Sequence, residues 1–178
     1  MCIRDRSHIA LRRLNGLQAT EWYTPFDGIE VCLNHEKCLT IHAPAVCNQT
    51  LVTNDIAELQ TFKTDENEAF VRFRIIGRKD NVIDSGGVKI QIEEVERTLK
   101  PHLSGDFAIT SITDEKFGEA VVLLTTLTDI TIVDAICKKI LPKFWQPRHI
   151  FHTDNIPQTE TGKPARANIR QLARQINK

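Results

Sequence analysis

GRKDNVIDSGGVKI, residues 77–90, runs from a charged turn into two short β-branched segments separated by Gly86 and Gly87. Asn, Asp and Gly supply the backbone freedom that turns need. Gly77–Asn81 therefore reads as an exposed turn, and VIDSGGVKIQI (82–92) as a two-stranded hairpin reversing at the glycines. FVRFRI, just upstream, is a strand leading into that turn. The pattern changes here, so a domain boundary is expected between residues 7–79 and 80–178.

Downstream, Glu93 to Lys100 reads as a helix with acids at its positive end and Pro101 as its stop. FAITSIT (107–113) and AVVLLTTL (120–127) are strand-like, joined by the turn DEKFGE. Thr131 to Leu141 reads as a helix with Ile132, Ile136 and Ile140 on one face, closed by Pro142. RHIFHT is a last strand and Ala165 to Ile176 a last helix. The order β-β-α-β-β-α-β-α predicts a small α+β domain, one sheet with helices packed on it.

Upstream, IALRRL, IEVCL, CLTIHA and TLVTN are brief β-type runs with turn signals at Asn15-Gly16, Asp27-Gly28 and Asn34-His35. So few residues cannot cover both faces of a sheet, and this β-rich part is expected to pack on something beyond it. The opening MCIRDR has no apolar stretch of a secretory signal. Residues 1–6 are read as a non-native leader.

The chain has 178 residues, 41% of them hydrophobic, which allows a packed core. Lys plus Arg and Asp plus Glu both number 23, and the zero net charge argues against a nucleic-acid or membrane-surface binder. No apolar run is long enough to span a bilayer. Five cysteines without CxxC spacing suit reduced thiols in a cytoplasmic protein. His149 and His152, three apart on a strand, fall on opposite faces and do not suggest a shared metal.

Several residues carry possible chemistry. Asp55, in TND, is placed to accept hydrogen bonds from a diol, or simply to organise a turn. Arg78 presents a donor fork for hydroxyls or phosphate, or an ion pair for Asp80. Asp80 lies in an exposed polar turn suited to a hinge. Lys163, in PQTETGK (157–163), is a point charge on a loop that Gly162 makes supple. Arg166, Arg170, Arg174 and Lys178 form a basic stripe, by default a solvated face.

Taken in order, TND, GRKDN, the SGG hairpin and TGK resemble the motifs of the C-terminal part of the acyl-adenylate-forming enzymes. The resemblance covers residues 7–178. It implies a β-rich remnant of a large AMP-binding domain (7–79) and a mobile C-terminal domain (80–178) that turns about Asp80. It implies an AMP-forming acid–thiol ligase using ATP, Mg2+ and coenzyme A. Asp55 and Arg78 would hold the AMP ribose, Gly86 and Gly87 would line the pantetheine tunnel, and Lys163 would be the catalytic lysine of adenylation. Asn54 stands where a glycine is usual, and Asp84 where a lysine is common. SHIALRRLNG, TNDIAEL and FRIIGRKDNVIDSGGVKIQIEEVE are most similar to the o-succinylbenzoate–CoA ligases of menaquinone biosynthesis, which implies o-succinylbenzoate as the carboxylic acid. Another fatty or aryl acid, or a non-catalytic carrier-protein-binding module, are the alternatives. The family's phosphate loop and Tyr-Gly-x-Thr-Glu motif do not occur in the chain, so the missing large domain is the expected partner and the fragment is expected to be inactive alone. Residues 81–178 are expected to fold without it, and residues 7–70 to be unstable.

Overall fold

Residues Cys47 to Lys63, with β-branched and apolar residues spread among polar ones, form a single strand of 17 residues in the computed structural model. The structure describes residues 2–3, 7–63 and 69–177. Two compact units divide the chain, residues 1–80 and 81–178.

In the first unit β1 (Cys2–Ile3) pairs with β2 (Ser7–His8), and β3 (Ala10–Leu11) with β4 (Thr24–Pro25). Apart from the backbone of Cys2–Ile3, the segment read as a leader lies outside the described residues. An antiparallel sheet follows in the order β5 (Glu30–Leu33), β6 (Cys38–Ala43), β7 (Cys47–Lys63), β8 (Ala69–Arg78). Its core is Ile9, Leu39, Ile41, Ala57 and Phe73, with Tyr23 stacked on Phe73 at 5.3 Å between ring centroids. TLVTN is not a brief run but the first part of β7. The strand continues past Asn54 because it pairs with β6 at Cys47, Leu51, Val52 and Ile56, across two register shifts, and with β8 from Asp55 onward.

The second unit contains β9 (Val82–Ser85), β10 (Val88–Gln91), α1 (Ile92–Leu99), β11 (Phe107–Asp114), β12 (Gly118–Thr125), α2 (Ile130–Ile140), β13 (His149–His152) and α3 (Arg166–Ile176). The order of elements is the one the sequence predicts, with boundaries shifted by one or two residues. The sheet runs β10-β9-β12-β11, and β13 lies parallel to the end of β12. Alternation along the strands divides two cores. Ile109, Val121 and Leu123 pack with Ile83, Ile90, Val95, Leu99, Val133 and Cys137 on the side of α1 and α2. Ala108, Ile112, Val122 and Leu124 pack with Ile169 and Ala173 of α3.

Helix α1 buries Ile92, Val95 and Leu99, spaced three and four apart. Full burial of such a side chain contributes about 1.5–3 kcal/mol. Helix α2 begins at Asp129, whose carboxylate accepts the Ile132 N–H at 3.1 Å. Its buried stripe is Val133, Cys137 and Leu141, whereas Ile132 is 58% exposed. Helical periodicity fits both this stripe and the expected Ile132–Ile136–Ile140 one. Docking against α1 and the sheet selects the first.

Candidate functional site

Strand pairing brings together two residues 23 positions apart in sequence. Asp55 on β7 stands opposite Arg78 on β8. Ile56 pairs with Gly77 and Ala57 with Ile75, so Ile76 is the extra residue of a bulge just before Arg78. Such a bulge re-aims the side chains beside it. Arg78 Nη1 lies 4.0 Å from Asp55 Oδ1, and Nη2 donates to Asp80 Oδ2 at 3.0 Å. Asn54 Nδ2 donates to the same Asp80 oxygen at 3.3 Å. The Arg78 hydrogen bond, with its charge, the Asn54 bond and the charge of Lys79 behind it, holds the Asp80 carboxyl below the usual carboxylate range. Asp55 sits within a strand and not in a turn; its N–H donates to Thr53 Oγ1 at 3.1 Å, and that hydroxyl donates to the Leu39 carbonyl at 2.9 Å. Asp55, Arg78 and Asp80 thus form one partly exposed acid–guanidinium–acid cluster. It presents acceptors and a donor fork side by side, which suits a vicinal diol. The Lys79–Asn81 segment is a single 3-10 turn.

In the second unit the hairpin reverses at Gly86 and Gly87, with φ of +62° and +83°. The Gly86 N–H donates to the Phe117 carbonyl at 2.8 Å, and the Gly87 N–H to Asp84 Oδ1 at 3.0 Å. Asp84 therefore caps the turn, which accounts for an acid at this position. A Cβ at Gly86 would meet Phe117 Cδ1 at 2.9 Å, while at Gly87 nothing lies within 4 Å. The two glycines differ: one packs against a ring, the other faces open space.

Lys163 is exposed at the end of a loop closed on itself. The Thr159 N–H donates to the Lys163 carbonyl at 2.7 Å, the Lys163 N–H to Thr159 Oγ1 at 3.2 Å, and the Ala165 N–H to the Pro157 carbonyl at 2.9 Å. Gly162, at φ +74°, makes the reversal. Among the described residues no carboxylate lies within ion-pair distance of the Lys163 ammonium.

The basic stripe of α3 is not a purely solvated face. Arg166 makes a two-pronged bond to Glu96, and Arg170 pairs with Glu119. Sequence reading singled out the arginines but not these partners; the acids of α1 were the available signal for Glu96, and nothing local pointed to Glu119 on β12. No group of three or more His, Cys, Asp or Glu among the described residues is arranged to hold a metal ion. None of the described helices is long and apolar enough to cross a membrane.

No family model matches the chain. In sequence it is similar to the oxalate–CoA ligase of Arabidopsis thaliana, 36% identical over 103 residues, which is 54% of this chain and 20% of that protein. It is 34% identical over 103 residues to the peroxisomal trans-cinnamate:CoA ligase of Petunia hybrida, covering 54% of this chain and 18% of that protein. Among solved structures, the ATP-bound RpMatB-BxBclM chimera B1 superposes with a TM-score of 0.71 at 16% identity, over 94% of this chain and 39% of that one. An E. coli MenE variant with bound OSB-AMS superposes with a TM-score of 0.64 at 23% identity, over 85% of this chain and 35% of that one. The mixed sheet-and-helix architecture is thus that of the adenylate-forming enzymes. In sequence and in fold the chain is thus similar to AMP-forming acyl-CoA ligases. The chain spans about a fifth of the length of the curated relatives it matches.

Proposed function

We propose that this chain is part of an AMP-forming acyl-CoA ligase, residues 7–79 belonging to the large AMP-binding domain and residues 80–178 being the mobile C-terminal domain. In such a reaction a carboxylate oxygen bonds to the α-phosphorus of ATP as the bond to pyrophosphate breaks. The thiol of coenzyme A then loses its proton and bonds to the acyl carbon, and AMP leaves with the electron pair of the acyl–oxygen bond. Asp55 and Arg78 hold the two ribose hydroxyls. Lys163 neutralises the charge that accumulates as pyrophosphate departs. Gly87 leaves room for the pantetheine arm, with Gly86 as its structural neighbour. Asp80 is the pivot that exchanges the two poses. Mg2+ would arrive with the triphosphate, since the described residues offer no cluster to hold it.

The observation that carries this reading is the register of β7 on β8, which sets Asp55 against Arg78 two residues before Asp80. The exposed Lys163 ammonium supports it. For the acid we propose o-succinylbenzoate, on the strength of SHIALRRLNG and TNDIAEL. The relatives named for oxalate and trans-cinnamate favour a second reading, another small or aryl carboxylic acid. A cytoplasmic location belongs to the same proposal.

Separate half-reaction assays on the full-length enzyme test it. Lys163→Ala is expected to slow acyl-AMP formation by roughly 10²–10³-fold and to spare thioester formation from supplied acyl-AMP. Gly87→Leu is expected to do the reverse. Equal loss of both halves in both variants rejects the assignment, and turnover across a panel of acids decides between the two substrate readings.

A further inference from the structure

Arg166 opens α3 three residues after Lys163. Its Nη1 and Nη2 donate to the two oxygens of Glu96 at 2.6 and 2.7 Å, and Nη2 lies 3.9 Å from Glu93 Oε1. The Glu96 side chain, 18% exposed, also accepts the Ile109 N–H at 2.9 Å, tying α3 to the backbone of the edge strand β11. Glu93 accepts from the Gln91 amide at 2.5 Å and from the Asn81 amide. Asn81, which follows Asp80, is hydrogen-bonded to Glu93, and Glu93 faces Arg166, at the root of the Lys163 loop, across the 3.9 Å ion pair beside the Arg166–Glu96 bonds. Burial opposes the Arg166 charge, but the Glu96 hydrogen bonds and the charges of Glu96 and Glu93 outweigh it and hold the guanidinium above its ordinary value. A bidentate pair fixes orientation as well as distance. The loop from Pro157 to Ala165 closes on its own backbone, so it follows the first turn of α3 as a unit. Lys163 inherits any displacement of that base.

We propose that Arg166 is a positioning residue for Lys163: its two-pronged bond to Glu96, backed by Glu93 and Asn81, sets where the lysine ammonium is delivered. The pivot's first outgoing residue and the lysine loop then belong to one rigid frame, and a turn about Asp80 is transmitted to Lys163 without slack. This rests on the adenylation role proposed for Lys163. A pair that served only stability would change both half-reactions alike. A positioning pair acts on adenylation, and acts through the lysine.

The test is a mutant cycle in the full-length enzyme, with folding checked by thermal melting. Arg166→Gln is expected to slow acyl-AMP formation by roughly 10²-fold, the scale of a misplaced catalytic group, and to leave thioester formation from supplied acyl-AMP unchanged. Combined with Lys163→Ala it slows adenylation no further. Arg166→Lys, which keeps the charge and loses the fork, recovers only part of the rate. If Arg166→Gln does not fold, Glu96→Gln, which keeps the side-chain shape, is read in the same way; failure of both to fold makes the pair a structural strut and overturns the proposal. Intact adenylation in Arg166→Gln, or a loss that multiplies with that of Lys163→Ala, overturns the positioning role and leaves the lysine's role standing. Intact adenylation in Lys163→Ala alone brings down both.

Discussion

Gly86→Ala and Gly87→Ala are neighbouring changes with different expected costs. Both residues have positive φ, +62° and +83°, where a Cβ costs about 1–2 kcal/mol. At Gly87 that is the whole cost, because nothing lies within 4 Å of the added methyl. At Gly86 the methyl meets Phe117 Cδ1 at 2.9 Å. The ring is not at liberty to turn aside: the Arg148 guanidinium lies 3.8 Å from its centroid and the Lys116 ammonium 5.3 Å. Overpacking of this kind adds about 1–3 kcal/mol, so Gly86→Ala should cost about 2–5 kcal/mol in all. Urea denaturation of each variant, followed by circular dichroism, measures the difference. A Gly87→Ala variant as destabilised as Gly86→Ala would refute the reasoning, since it would place a neighbour where the geometry leaves open space.

Two further changes probe the core. Leu99→Ala, at a fully buried position of α1, should cost about 2–5 kcal/mol in the same assay, and a cost below about 1 kcal/mol would mean that α1 does not pack on the sheet as described. Burial, with the charge of Asp134, pushes the Cys137 thiol from 9.0 up to about 11. The folded state thus keeps its proton where the unfolded chain has lost it. This contribution is intact below about pH 9 and declines as the pH rises towards 11, by about 3 kcal/mol at most for two pKa units. Cys137→Val should flatten that part of the stability–pH curve, and identical curves for the two proteins would exclude the thiol as its source.

What was legible in the sequence was local. The Ser85-Gly86-Gly87 reversal, the stop at Pro142 and the β-type run FAITSIT all act within a few residues, and each reads through to the fold. Helix α2 was legible as a helix, but it is apolar on adjacent stripes, and only the neighbouring elements decide whether Ile132 or Val133 turns inward. The same holds for the site. Asp55 and Arg78 could be singled out by residue type, but their pairing depends on the register of two long strands and on the bulge at Ile76. Arg166 and Glu96 are 70 residues apart, and a stripe of arginines on a helix does not announce which of them has an acid beneath it.

Strand β9 meets β12 at one ladder position only, Ser85 opposite Gly118. What anchors the glycine hairpin is oil more than ladder: Ile83 and Ile90, 1% and 0% exposed, are sunk into the core shared with α1 and α2. Backbone ladders hold direction and register, whereas apolar contact is indifferent to both. Shortening either isoleucine should therefore loosen the hairpin more than losing its one ladder contact would, while the Gly86 N–H on the Phe117 carbonyl and the Asp84 N–H on Glu119 keep its tip tethered.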